Sequence, residues 1–269
     1  MEPLLKDYNA FITGAGSAIS FARHGAAGLA IADINEEALN EVVASIGKEF
    51  PRLKILPLLI DVTDASQVKS GIARTVKEFG RLDVAVNNAG VLGKNQLTHT
   101  LPEEEWRRVL DVNINSVFYC HKEELRIMKK QEDLGPRRGR GTIINTASIA
   151  GLRGVMIPLY QSAYVTTKHA VVGLTRADAI SYSPYNIRIN AICPGYVETP
   201  MVVTDTPGIE QGLKLLTDNV PLNRLVLPEE IADGIVFLAS QMSSAMQGST
   251  LTADLGLTSN SGAGLISKI

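Results

Sequence analysis

Seven short runs rich in Val, Ile, Leu and Ala constrain this chain more than any other feature. They are "NAFIT" (9–13), "GLAIAD" (28–33), "KILPLLID" (54–61), "LDVAVNNA" (82–89), "GTIINTAS" (141–148), "IRINAIC" (187–193) and "STLTADL" (249–255). A run that is apolar on both faces suits a strand covered on both faces, the situation of a parallel sheet between two helical layers. Amphipathic segments separate the runs, with helix starts near Ser17, Asn35, Asp64, Glu103, Ser162 and Pro228. "DASQ" at Asp64 to Gln67 reads as a capping box, and Pro102 followed by three glutamates suits a helix N-terminus.

Right-handed crossovers turn this alternation into a doubly wound sheet. The expected fold is α/β: one Rossmann-like domain over residues 1–269, with about seven parallel strands and helices on both faces. No repeat, low-complexity tract or linker divides it. Hydrophobic residues make up 45% of the chain, enough for a sizeable core and contrary to disorder. The net charge of −2 gives no reason to expect nucleic acid or an anionic membrane as partner. The basic run at 136–141 reads as a solvated loop. No apolar run reaches the roughly 20 residues of a membrane span, and the N-terminus has no signal-peptide pattern. Cys120 and Cys193 are too few for a disulfide framework and read as buried small apolar residues. His24, His99, His121 and His169 are scattered and read as surface or packing, with no metal site. A cytoplasmic protein is expected.

In such a sheet, ligands bind beyond the carboxyl ends of the strands. The residues there are polar, small or glycine: Thr13 to Ser17, Asp33, Asp61 and Val62, Asn87 to Gly90, Ser148, and Pro194 to Met201. Tyr164 and Lys168 stand four apart in a helical stretch, which puts both side chains on one face. A nearby ammonium favours a phenolate, so the Tyr164 pKa is expected to fall and the phenol to exchange a proton with a substrate hydroxyl or carbonyl. Ser148 is placed to bond the same oxygen, and Asn113 to support a water leading to Lys168. Tyr160, without a lysine four residues on, reads as pocket wall. Asp33, closing the second strand, suits the ribose hydroxyls of NAD and repels the extra phosphate of NADP; its plainer reading is a cap for the following helix.

"NNAG" at 87–90, "NTAS" ending in Ser148, "YVTTK" at 164–168 and "PGYVETPM" at 194–201 resemble the short-chain dehydrogenase/reductase family over nearly the whole chain. The resemblance implies Tyr164 as general acid/base, Lys168 as ribose ligand and tuner of Tyr164, Ser148 as substrate orienter and Asn113 as the fourth member. It places Asp61 and Val62 at the adenine, Asn87 and Ala89 near the adenosine ribose, and Val197 and Thr199 at the nicotinamide amide. It also implies a homodimer or homotetramer through two long helices, about 103–131 and 162–183.

The chain departs from the family pattern in "TGAGSAIS", where Gly14, Gly16 and Ser17 are present but the later Gly-x-Gly is not. About six residues are missing between Ser17 and Ala18, the turn and first helical turn that cradle pyrophosphate. Leu255 stands where the family usually carries glycine, and the 151–161 loop is longer than usual. The expected activity is an NAD-dependent interconversion of ketone or aldehyde and alcohol on a moderately apolar small molecule, with a weakened or lost hold on the cofactor. The alternatives are a cofactor-independent isomerase, cyclase or dehydratase in the same pocket, and a non-catalytic partner subunit.

Overall fold

The computed structural model describes residues 3–155, 159–202 and 214–259. Every expected strand forms: β1 (Asn9–Thr13), β2 (Gly28–Asp33), β3 (Lys54–Leu59), β4 (Val84–Asn87), β5 (Gly141–Thr146), β6 (Ile187–Pro194) and β7 (Thr250–Ala253). They make one parallel sheet in the order β3-β2-β1-β4-β5-β6-β7. The order reverses between β1 and β4, so a crevice opens there at the carboxyl edge. The central strands are buried along their length, as their two-sided apolar pattern requires.

Two apolar layers sandwich the sheet. On one side lie α1 (Ala18–Arg23), α2 (Glu36–Glu49) and α7 (Pro228–Ala239), whose Phe21, Leu39, Ile46 and Ile235 pack with Ile12, Leu29 and Ile31. On the other lie α3 (Ala65–Phe79), α5 (Ser116–Met128) and α6 (Ser162–Tyr182), with Ile72, Leu125 and Ala179 against Phe11, Ala85 and Ile143. Asn35 and Asp64 cap α2 and α3 through their side chains. The expected capping box at Asp64 is only half formed. Asp64 accepts from the Ser66 hydroxyl and from the Ser66 and Gln67 amides, and these bonds, the hydroxyl's first, help hold its carboxyl down at about 2. Gln67 Oε1, however, accepts from the Asp61 amide at 3.0 Å and so ties the end of the third strand segment to α3.

The segment from Glu103 is not one helix. A π-helical turn over Asp111–Asn115 joins α4 (Glu103–Leu110) to α5. α1 differs most from its neighbours: it has 6 residues, against 14 in α2 and 15 in α3. Its Ala18, Phe21 and Ala22 are nonetheless buried, so the short helix is anchored by packing. Leu255 takes a left-handed backbone (φ 54°) and packs against the buried cluster of Ile149, Val220 and Leu257. Among the described residues no helix is long and apolar enough to cross a membrane.

Truncating Phe21, which is fully buried, leaves a cavity beneath α1. We expect Phe21→Ala to lower the unfolding free energy by about 3–5 kcal/mol, read from urea denaturation.

Candidate active site

The carboxyl edge gathers the chemistry from β5, α6 and the π turn. Ser148 follows β5 with an extended backbone, and its hydroxyl accepts from the Ala150 amide at 3.1 Å. Tyr164 and Lys168 lie one helical turn apart on α6. The Tyr164 phenol faces Ser148, whose hydroxyl acts to lower its pKa. Lys168 is buried, donates from Nζ to the Thr146 carbonyl at 2.8 Å, and lies over the Tyr164 ring, 5.5 Å from its centroid.

Electrostatics here differ from the sequence expectation. Burial raises the Tyr164 phenol above its ordinary value, and the Ser148 hydrogen bond opposes that only in part. The ammonium sits over the ring face and is bonded to a backbone carbonyl rather than to the phenol oxygen, so desolvation dominates. Burial also brings Lys168 down to about 8 and pushes the neighbouring Cys193 thiol up to about 11. Both cysteines are buried and free.

Asn113 lies in the π turn and is fully buried. Its side chain accepts from the Val91 amide and donates to the Val91 carbonyl, both at 2.8 Å, and reaches Thr167 Oγ1 at 3.2 Å. It therefore ties the Val91 loop to α6 beside Lys168, bonding the loop and Thr167 rather than the lysine. Gly90 is where the two converge: a Cβ there would stand 3.3 Å from Asn113 Oδ1 and 3.5 Å from Lys168 Nζ.

The expected cofactor residues line the rest of the edge. Gly14 has φ 76°, and a Cβ there would meet Asn88 Nδ2 at 2.9 Å. Its amide donates to Ala32 O at 2.8 Å. Gly16 faces open space, whereas the buried Ser17 Oγ has no hydrogen-bond partner. Asp33 accepts from the Ala15 amide at 3.3 Å and the Asn35 amide at 3.0 Å, so one carboxylate ties the β1 turn to the start of α2. Asp61 accepts from the Thr63 amide and hydroxyl, with Val62 buried next to it. Val197 bridges to Val226, and the Thr199 amide donates to the Val197 carbonyl. Residues 203–213, beyond Thr199, and 156–158 in the 151–161 loop lie outside the described residues.

Asn87 sits apart from this row. Its amide turns into the interior and donates to Glu124 Oε2 and Asn145 Oδ1, both at 3.1 Å. Asn145 also meets His121 Nε2 at 3.0 Å, and His121 Nδ1 meets Asp178 at 2.8 Å. His121, read from sequence as surface or packing, thus belongs to a buried polar chain. Thr13, expected at this edge as a strand-end residue, has Oγ1 accepting from the Asn88 and Ala89 amides, which joins β1 to the loop after β4. Its place at the strand end was legible in the sequence, but its bonds to the β4 loop were not.

Comparisons with known proteins identify the family. A family model described as enoyl-(acyl carrier protein) reductase matches residues 13–258. The short-chain dehydrogenase fogB of Aspergillus ruber is 36% identical, covering 93% of this chain and 96% of its own. The crystal structure of levodione reductase superposes with a TM-score of 0.88 at 33% identity, covering 95% of this chain and 99% of that one. NAD+-bound xylitol dehydrogenase gives 0.81 at 29% identity, over 92% and 98%. The chain belongs to the short-chain dehydrogenase/reductase family, and it is an enzyme of that oxidoreductase class.

Glu124 gives a pH signature. Full burial raises its carboxyl from 4.5 to about 7, against the opposing influences of His121 and the Asn87 hydrogen bond. Between those values the folded protein holds a proton that the unfolded chain releases, so stability falls as pH rises through this window. Glu124→Gln keeps an acceptor for Asn87 and removes the ionisation. Urea unfolding at several pH values from 5 to 8 is expected to show a flatter profile in the variant, and a gain of a few kcal/mol at most at pH 8.

Proposed function

We propose that this enzyme interconverts a carbonyl and an alcohol on a moderately apolar small molecule, using NAD in preference to NADP. The observation that carries the reading is the Tyr164 phenol beside Ser148, with the buried Lys168 ammonium 5.5 Å from the centroid of the same ring. Ser148 and Tyr164 together hold a substrate oxygen. In reduction the Tyr164 phenol, kept protonated by burial, gives its proton to that oxygen; in oxidation the proton returns. Lys168, at about 8, is poised to restore the charge balance. The exposed side chains of Tyr160, Met201 and Leu215 in the flanking segments support an apolar substrate.

A bound nicotinamide dinucleotide supplies the hydride chemistry of the class. The chain fits its two ends. Asp61 and Val62 suit the adenine, Asp33 the adenosine ribose hydroxyls, with Ala89 and the Asn87 backbone alongside; Lys168 suits the second ribose and Val197 and Thr199 the carboxamide. The pyrophosphate stretch does not fit in the same way: Gly14, Gly16 and Ser17 lead into a helix of only 6 residues. That shortness favours a second reading, cofactor-independent proton transfer by the same Ser148, Tyr164 and Lys168 in an isomerase, cyclase or dehydratase. Assembly as a homodimer or homotetramer through α5 and α6 is supported by exposed Phe118 and Ile180 on those helices.

Tyr164→Phe is expected to lower kcat/KM for a cyclic or aromatic ketone by at least about 100-fold, with the melting temperature little changed. Asp33→Asn should reduce the preference for NADH over NADPH in the same assay. A Tyr164→Phe variant as fast as the parent would overturn the acid/base assignment, and turnover undiminished after cofactor removal would establish the second reading. Sedimentation velocity should give a species larger than the 28.9 kDa chain.

A further inference from the structure

Each crossover helix in a parallel sheet must return the chain over the full height of a strand. A strand of 6 residues such as β2 is about 20 Å tall, which calls for roughly 13 helical residues. α2 and α3, with 14 and 15, meet this requirement. α1, with 6, spans about 9 Å, and the 3-10 turn Ala15–Ser17 supplies about 6 Å more. Burial of Ala18, Phe21 and Ala22 anchors what remains of the helix against the sheet. The missing length thus falls at the upper end, where the turn faces the crevice.

The amides of this turn are largely spent on the protein itself. Gly14 donates to Ala32 O, Ala15 to Asp33 Oδ2, and Ala18 to Ala15 O. A pyrophosphate needs several converging N–H groups at a helix start, and these three point into other bonds. Resting on the reading of the site given above, we propose that this chain holds a dinucleotide by its adenosine and nicotinamide ends, with no grip on the pyrophosphate. The absent grip is the upper part of α1, and restoring it would create one.

Calorimetric titration of the full chain with adenosine, ADP and NADH tests this, beside a variant carrying Gly-Ile-Gly-Lys-Ala-Ala between Ser17 and Ala18. In the parent chain ADP should bind within about threefold of adenosine, and NADH at least about tenfold more weakly than in the insertion variant. The insertion variant should prefer ADP over adenosine by about tenfold or more. A parent chain that itself prefers ADP by tenfold overturns the proposal while leaving the assigned function intact. If neither chain binds NADH or adenosine, the oxidoreductase reading of the site fails as well. Should the insertion variant misfold, as circular dichroism would reveal, the ADP-to-adenosine ratio of the parent decides alone.

Discussion

Every parallel strand here must be followed by a segment that climbs back to the edge where the next one starts. That demand fixes where polar residues gather, because all strands then end on the same side of the sheet. It also explains why residues as distant as Asp33, Asp61, Asn113, Ser148 and Lys168 belong to one edge. Where the returning helix has full length, its first turn stands level with the strand ends. Where it does not, as in α1, the connection is completed by a tighter turn whose backbone groups are taken up locally.

A second constraint acts at right angles to the first. Lys168 is buried, and its ammonium is made tolerable by one backbone carbonyl and an aromatic face. Gly90 clears the space for it, and Asn113 fixes the adjoining loop through both polar groups of Val91. The Lys168 ammonium is thus held by a backbone carbonyl, the Tyr164 ring and the loop that Asn113 fixes. Beneath them, Asn87, Asn145, Glu124 and His121 bind strands to helices through hydrogen bonds inside an otherwise apolar layer.

Much of this was legible in the sequence, for identifiable reasons. The strands were found because two-sided burial writes itself as unbroken β-branched runs, and β1 and β2 have the expected limits. The short α1 was legible as a count of residues between two strands. The α4–α5 break was not, since a π turn changes hydrogen bonding without changing the amphipathic pattern. The inward turn of Asn87 was equally hidden, because its partner Glu124 is 37 residues away. The direction of the Tyr164 shift was misjudged because spacing reveals a neighbouring charge but not the depth of burial that outweighs it.

The π turn at Asp111–Asn115 has a geometric consequence of its own. Each residue of an α-helix advances the azimuth by about 100°, so one extra residue in a turn re-phases everything downstream. α4 and α5 consequently keep separate angular settings while sharing one continuous backbone. α5 thereby keeps Cys120, His121, Glu124 and Leu125 directed inward together. Wound as plain α-helix, the same residues would turn that whole set by about 100° from its present facing, so the π turn is what lets α5 direct it inward.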